Sequence, residues 1–226
     1  MRSFFISLIL TGVTLSTLAV DRADLDYRVR KLTLKFDAMQ AKPDKRIPPQ
    51  ALRDAKGIIL LDRTKAGFLF AYQGGSGIVM ARDPNSGQWS APAFLKANEA
   101  SLGLQIGGQQ SFVVILLMNP RAVETLASGN FNFGGEASGT AGNNTRGVEG
   151  TMSTTEPMML VYTDREGLYG GAAFKGDAIS SDTGADFIYY GQFLTMNDIL
   201  FSHRVGPSPT AVELDQRLDS VAAVAR

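Results

Sequence analysis

The sequence predicts an α+β fold: N-terminal amphipathic helices, a glycine-rich, mainly antiparallel sheet folded towards a barrel or sandwich, and helices near the C-terminus. Three observations carry that expectation. Residues 22–40 repeat apolar side chains at helical spacing. After Lys56 the pattern changes to short apolar runs divided by glycine or charge. Beyond Pro207 and Pro209 a helical pattern returns.

The chain has 226 residues, 44% hydrophobic and 19% charged, enough to bury one sizeable core. Its 24 glycines are scattered, which excludes collagen-like order and points to many turns and closely packed strands. One domain over 20–226 is expected, with 20–50 as a helical arm.

The first segment, MRSFFISLILTGVTLSTLAV, has a basic Arg2, an apolar run over 4–10 and small residues towards Ala19. It reads as a secretory signal peptide over 1–19. Export to the periplasm or outside the cell follows as an expectation. The absence of cysteine fits an oxidising compartment.

Within 22–40, Leu25, Val29, Leu32, Phe36 and Met39 fall at steps of four, three, four and three. They form one apolar stripe on an α-helix. Asp21 is placed to cap it, and Asp24 and Asp26 suit its positive end. Pro43 ends it, and PPQALRDA opens a short second helix, because proline is tolerated in a first turn. GIILLD, AGFLFAYQ and GIVMARD read as strands, DPNSGQ as a turn, and GLQIGGQ and SFVVILLM as two further strands. FVVILLM is apolar throughout, as in a strand covered on both faces. PRAVETLAS reads as a short helix. Residues 129–151 are glycine-rich and polar, compatible with edge strands or a loop. EPMMLVYTDREGLYGGAAFKGDAI reads as a hairpin turning at 164–167. Residues 192–202 look helical. A capping box of Thr210 and Glu213 starts a last helix carrying Leu214, Leu218 and Val221.

Chemistry is largely excluded by composition. Without cysteine there is no thiolate nucleophile and no Cys-ligated zinc. His203 is the one histidine, so a histidine-rich metal site cannot form within one chain, and a helix-capping role is the simpler reading. SDTGADF contains the Asp-Thr-Gly triplet of aspartic proteases. Asp182, however, follows Ser180-Ser181 rather than an apolar strand, and a second such triplet is lacking. Asp177, Asp182 and Asp186 lack the alternating acids and closing glutamate of a calcium loop. GGSG at 74–77 lacks the Gly-Lys-Ser/Thr of a phosphate loop. Trp89 reads as a core anchor. No enzyme, metal or cofactor is expected.

Charge is uneven. Residues 22–56 hold ten Lys/Arg and five acids, a balance of +5, while 57–226 carry −5. A basic, amphipathic segment is drawn to anionic surfaces. The same pattern also describes an ordinary solvated helix face.

The order GIILLDRTKAGFLFAYQGGSGIVMAR, GQWSAPAFL, SLGLQIGGQQSFVVILLMN, GLYGGAAFKGDAI and YYG resembles the SYLF domain family. That is a lipid-binding module also described in fungi as an actin-binding domain. Trp89-Ser90-Ala91-Pro92, Gly103-Leu104-Gln105-Ile106-Gly107 and Gly167-Leu168-Tyr169-Gly170-Gly171 carry most of the resemblance. It implies a polar loop at 181–191, with Asp182 in it, and binding of phosphoinositides and other anionic lipids. The expected function is therefore an exported, non-enzymatic protein docking on anionic phospholipid. Leu25, Val29, Leu32 and Phe36 would enter the headgroup boundary, and Arg28, Lys31, Lys35, Lys42, Lys45 and Arg46 would meet phosphates. The alternative is a structural or protein-interaction module, actin-binding-like, in which the same stripe packs on the sheet. No nucleic-acid partner is expected.

Overall fold

The computed structural model describes residues 20–68, 70–101, 107–128, 139–141, 159–166 and 178–224. Its elements in chain order are α1 (Arg22–Gln40), α2 (Pro49–Asp54), β1 (Gly57–Phe68), β2 (Phe70–Ala81), β3 (Ala93–Ser101), β4 (Gly107–Leu117), α3 (Pro120–Ala127), β5 (Gly139–Ala141), β6 (Met159–Glu166), β7 (Ala178–Ser181), α4 (Thr183–Tyr190), α5 (Met196–Leu200) and α6 (Pro209–Ala223). The strands form one sheet in the order β5-β6-β4-β1-β2-β3-β7, antiparallel except for the short β5–β6 pair.

The α+β expectation holds, and among the described residues the sheet is open, with β5 and β7 at its edges, rather than closed into a barrel or folded into a sandwich. Helices cover both faces instead. β1 shows why its sequence is apolar without interruption. Ile58 and Leu60 point to one side, into a core with α1, α2, α4 and α6. Ile59 and Leu61 point to the other, into a core with α3 and α5. In β4, Val114 and Leu116 divide from Val113, Ile115 and Leu117 in the same way. Period-two geometry applied to a doubly covered strand gives an unbroken apolar run.

Residues 74–77 lie inside β2, not in a phosphate-cradling loop. Glycine is required there by contact with the neighbouring strand. A Cβ on Gly77 would stand 2.3 Å from the Leu60 carbonyl oxygen, and one on Gly75 2.9 Å from that of Asp62. Both approaches are too close for a side chain.

Several boundaries differ from expectation. Asp164, Arg165 and Glu166 continue β6, which pairs with β4 and β5, while β7 pairs with β3 at the other edge of the sheet; the return arm of the hairpin expected to turn at 164–167 lies outside the described residues. Residues 107–117 form one strand rather than the end of one and all of another. The segment expected as a polar loop at 181–191 contains α4, capped by Asp182 and closed by Gly191 in the left-handed region at φ +69. The last helix is capped by Ser208, not by Thr210 and Glu213. Most of 129–151 lies outside the described residues, with β5 inside that stretch.

Candidate interaction surface

α1 starts as its sequence dictates. Asp21 accepts from the Asp24 backbone N–H at 2.9 Å, and Asp24 accepts in return from Asp21 at 3.0 Å. This reciprocal box satisfies two otherwise orphaned donors. The helix then turns its apolar stripe inward. Leu25, Val29, Leu32 and Phe36 are at most 1% exposed, and Met39 joins them against the sheet. The expectation that this face is free to enter a headgroup boundary is therefore corrected. Its physical reason is burial. Five such side chains withdrawn from water contribute roughly 10 kcal/mol, comparable with the whole stability of a domain.

Four of the six predicted cations are also engaged by the rest of the protein. Lys31 and Lys35 converge on Asp62 of β1, at 2.9 and 2.6 Å. Lys42 reaches Asp164 of β6 at 2.6 Å. Arg28 lies 3.7 Å from Asp182 and 5.7 Å above the Phe94 ring. Lys45 stands 3.8 Å from its neighbour Asp44. Arg46 is exposed. Thus four of the six named cations bind α1 and its C-terminal extension to distant parts of the fold. A half-exposed pair of this kind is worth under about 1 kcal/mol, so these contacts orient the helix while burial holds it.

Polar ties complete the attachment. Asp26 of α1 accepts from the Tyr189 hydroxyl at 2.9 Å and from that of Thr210 at 2.7 Å. This joins α1, α4 and α6 at one point. Arg53 of α2 donates to the Ala222 carbonyl at 2.6 Å, and Arg217 of α6 pairs with Asp37.

Asp182 and Asp186 of the acidic triplet have structural roles. Asp182 accepts from the Ala185 N–H at 3.2 Å as the cap of α4. Asp186, one turn on, is fully buried and its Oδ1 accepts from the Phe94 N–H at 2.8 Å, tying α4 to β3. Burial pushes the Asp186 carboxyl up to about 7, with the nearby Asp182 charge adding to the rise. Each carboxylate has its own backbone partner, Asp182 at the start of α4 and Asp186 on β3. Asp177 lies outside the described residues. Among the described residues no three His, Asp or Glu side chains are grouped to hold a metal ion. His203, in the left-handed region at φ 48, sits 3.2 Å from Asp83. Asp83 is held down to about 2, chiefly by backbone N–H groups of Ser86 and Asn85. Trp89 is buried, with the Arg82 guanidinium 4.4 Å over its ring, in agreement with a core anchor.

Two exposed features were not singled out from sequence. Phe193 is 84% exposed and stacks on Phe187, 40% exposed, at 4.4 Å between ring centres. On α1, Tyr27 and Leu34 are 67% and 68% exposed, on the side away from the sheet. A helical wheel would have found the second pair, because 27 and 34 lie seven residues apart and between the buried positions. The apolar inner stripe drew attention instead.

The family described as Ysc84, "Las17-binding protein actin regulator", matches residues 98–221. SH3 domain-containing YSC84-like protein 1 of Bos taurus and of Homo sapiens are each 36% identical over 197 residues, covering 85% of this chain and 57% of the relative. LAS seventeen-binding protein 3 of Saccharomyces cerevisiae (strain YJM789) is 33% identical over 181 residues, covering 78% of this chain and 39% of the relative. The chain thus spans about half or less of the length of these relatives. With the family match over more than half of the chain and 36% identity to the animal proteins over 197 aligned residues, the chain belongs to the Ysc84, or SYLF-domain, family.

Proposed function

We propose that this chain is a non-enzymatic interaction module whose partners are proteins, actin filaments or their regulators among them. The observation that carries this reading is the inward stripe of α1. A membrane helix needs that face free, and here its removal from the core would cost about as much as unfolding the domain. The names of the relatives support the same class of partner: a Las17-binding actin regulator as the family, and a Las seventeen-binding protein in yeast. The exposed Phe187–Phe193 stack adds the aromatic character that protein interfaces favour.

The test is sedimentation with preassembled actin filaments, paired with flotation on anionic and neutral vesicles. Pelleting with filaments, with no preference for vesicle charge, is the expected result. Flotation with anionic vesicles alone would overturn it.

A second reading keeps anionic phospholipid as the partner. It is favoured by Arg30, Lys31 and Arg46, which are exposed. Each cation near an anionic surface would contribute about 1 kcal/mol, and binding would fade as salt rises. In this form the headgroups meet the outside of α1 with its apolar stripe still in the core. Export belongs to the proposal too: residues 1–19 would be removed, and the intact mass of the protein made in cells tests it.

A further inference from the structure

We infer that the outer face of α1 is a docking seam for an acidic, amphipathic helix of a partner protein. This deepens the interaction-module reading and rests on it. The helix carries two stripes, not one. Opposite the buried set, Ala23, Tyr27, Arg30, Leu34 and Ala38 follow one another at steps of four, three, four and four, and all are exposed. That spacing keeps them on one side of a helix. Tyr27 and Leu34 stand about 10 Å apart along the axis, two turns, with alanines beyond each.

Such a row has the form of a helix-packing seam. Two large side chains act as knobs, and the alanines let a second backbone come close. A bilayer would be poorly served by it. Interfacial helices bury a broad apolar face, and the broad face of α1 is already in the core.

Charge sets the sign of the partner. Arg30 lies between the two knobs, is exposed and makes no ion pair among the described residues, whereas Lys31 on the flank is held by Asp62. The acids of α1 are turned to other work. Asp24 closes the cap, Asp26 is held by Tyr189 and Thr210, and Asp37 is paired with Arg217. The seam is therefore basic. A second copy of this chain would set Arg30 against its like-charged counterpart, whereas an acidic helix would meet it with opposite charge.

The experiment uses the full chain and designed peptides of three heptads, with leucine at the a and d positions and either glutamate or lysine at e and g. Binding is read by fluorescence anisotropy. The glutamate peptide should bind and the lysine peptide should not. Tyr27→Ala with Leu34→Ala should weaken binding about tenfold or more, with the thermal midpoint unchanged because both side chains are exposed. Arg30→Glu should shift the preference towards the lysine peptide. Binding that ignores these substitutions would overturn the inference, as would a Tyr27/Leu34 variant that loses vesicle flotation or self-association instead. Actin-filament sedimentation runs alongside. A chain that pellets with filaments yet ignores the glutamate peptide overturns this seam and leaves the interaction reading standing. One that engages neither counts against both.

Discussion

On one side of the sheet, α1, α2, α4 and α6 combine apolar burial with hydrogen bonds between residues far apart in sequence: Asp26 to Tyr189 and Thr210, Arg53 to Ala222, Asp186 to Phe94. On the other side, α3 and α5 present Ala122, Val123, Leu126, Met196, Ile199 and Leu200 to the sheet. Their described polar contacts are local, with Asn119 capping α3 and Thr195 paired with Asp198 at the start of α5. The difference follows from connectivity. α3 leaves the end of β4 after two residues, so the chain itself aims it. α1 and α6 come from opposite ends of the sequence, and directional bonds must set their angle. Arg28, Lys31, Lys35, Lys42 and Arg53 belong to that fastening system.

The most severe way to break the comparison is Phe36→Ala, which empties the core beneath α1. It should cost roughly 3–5 kcal/mol in urea unfolding. A loss under about 1 kcal/mol would mean that α1 is not integral to that cover. Ile199→Ala, its counterpart beneath α5, should cost roughly 2–5 kcal/mol, and it should leave the pH dependence unchanged because no buried carboxyl lies on that side among the described residues.

Asp186→Asn tests the polar side directly. The folded carboxyl is raised from 3.8 to about 7, so the folded state holds the proton more tightly than the unfolded state. Stability from this group is therefore full below pH 3.8, declines as pH rises, and levels off above about 7. Asparagine should flatten that window and make the protein more stable than wild type above pH 7, by on the order of 2–3 kcal/mol. An unchanged slope in pH-dependent melting would remove Asp186 from the account. Smallest is Tyr189→Phe, which should cost about 1 kcal/mol by leaving Asp26 one donor short. A double-mutant cycle with Thr210→Val should show coupling, whereas the same cycle with Ile199→Ala should be additive.

The inner stripe of α1 was legible from spacing alone, and so were its Asp21 cap and the paired apolar faces of 112–118. What spacing leaves open is where an apolar face goes. Leu25, Val29, Leu32 and Phe36 fit a membrane surface and a protein core equally well, and only the position of the sheet decides. The pairing of β6 with β4, from Leu117–Met159 to Gln110–Glu166, joins segments more than forty residues apart and has no local signal in the sequence. The Asp-Thr-Gly triplet drew attention to Asp182, and the buried carboxylate proved to be Asp186. Its signal, Ala185 before it and Tyr189 after it on one helical face, emerges only once 183–190 is read as a helix.

Asp37 and Arg217, which join α1 to α6, are 180 residues apart. At a translation rate of about 5–20 residues per second, the ribosome needs roughly 10–40 s to supply the second after the first. For that interval the greasy side of the opening helix has no final seat, and nascent-chain chaperones or a membrane close to the exit tunnel would compete for it.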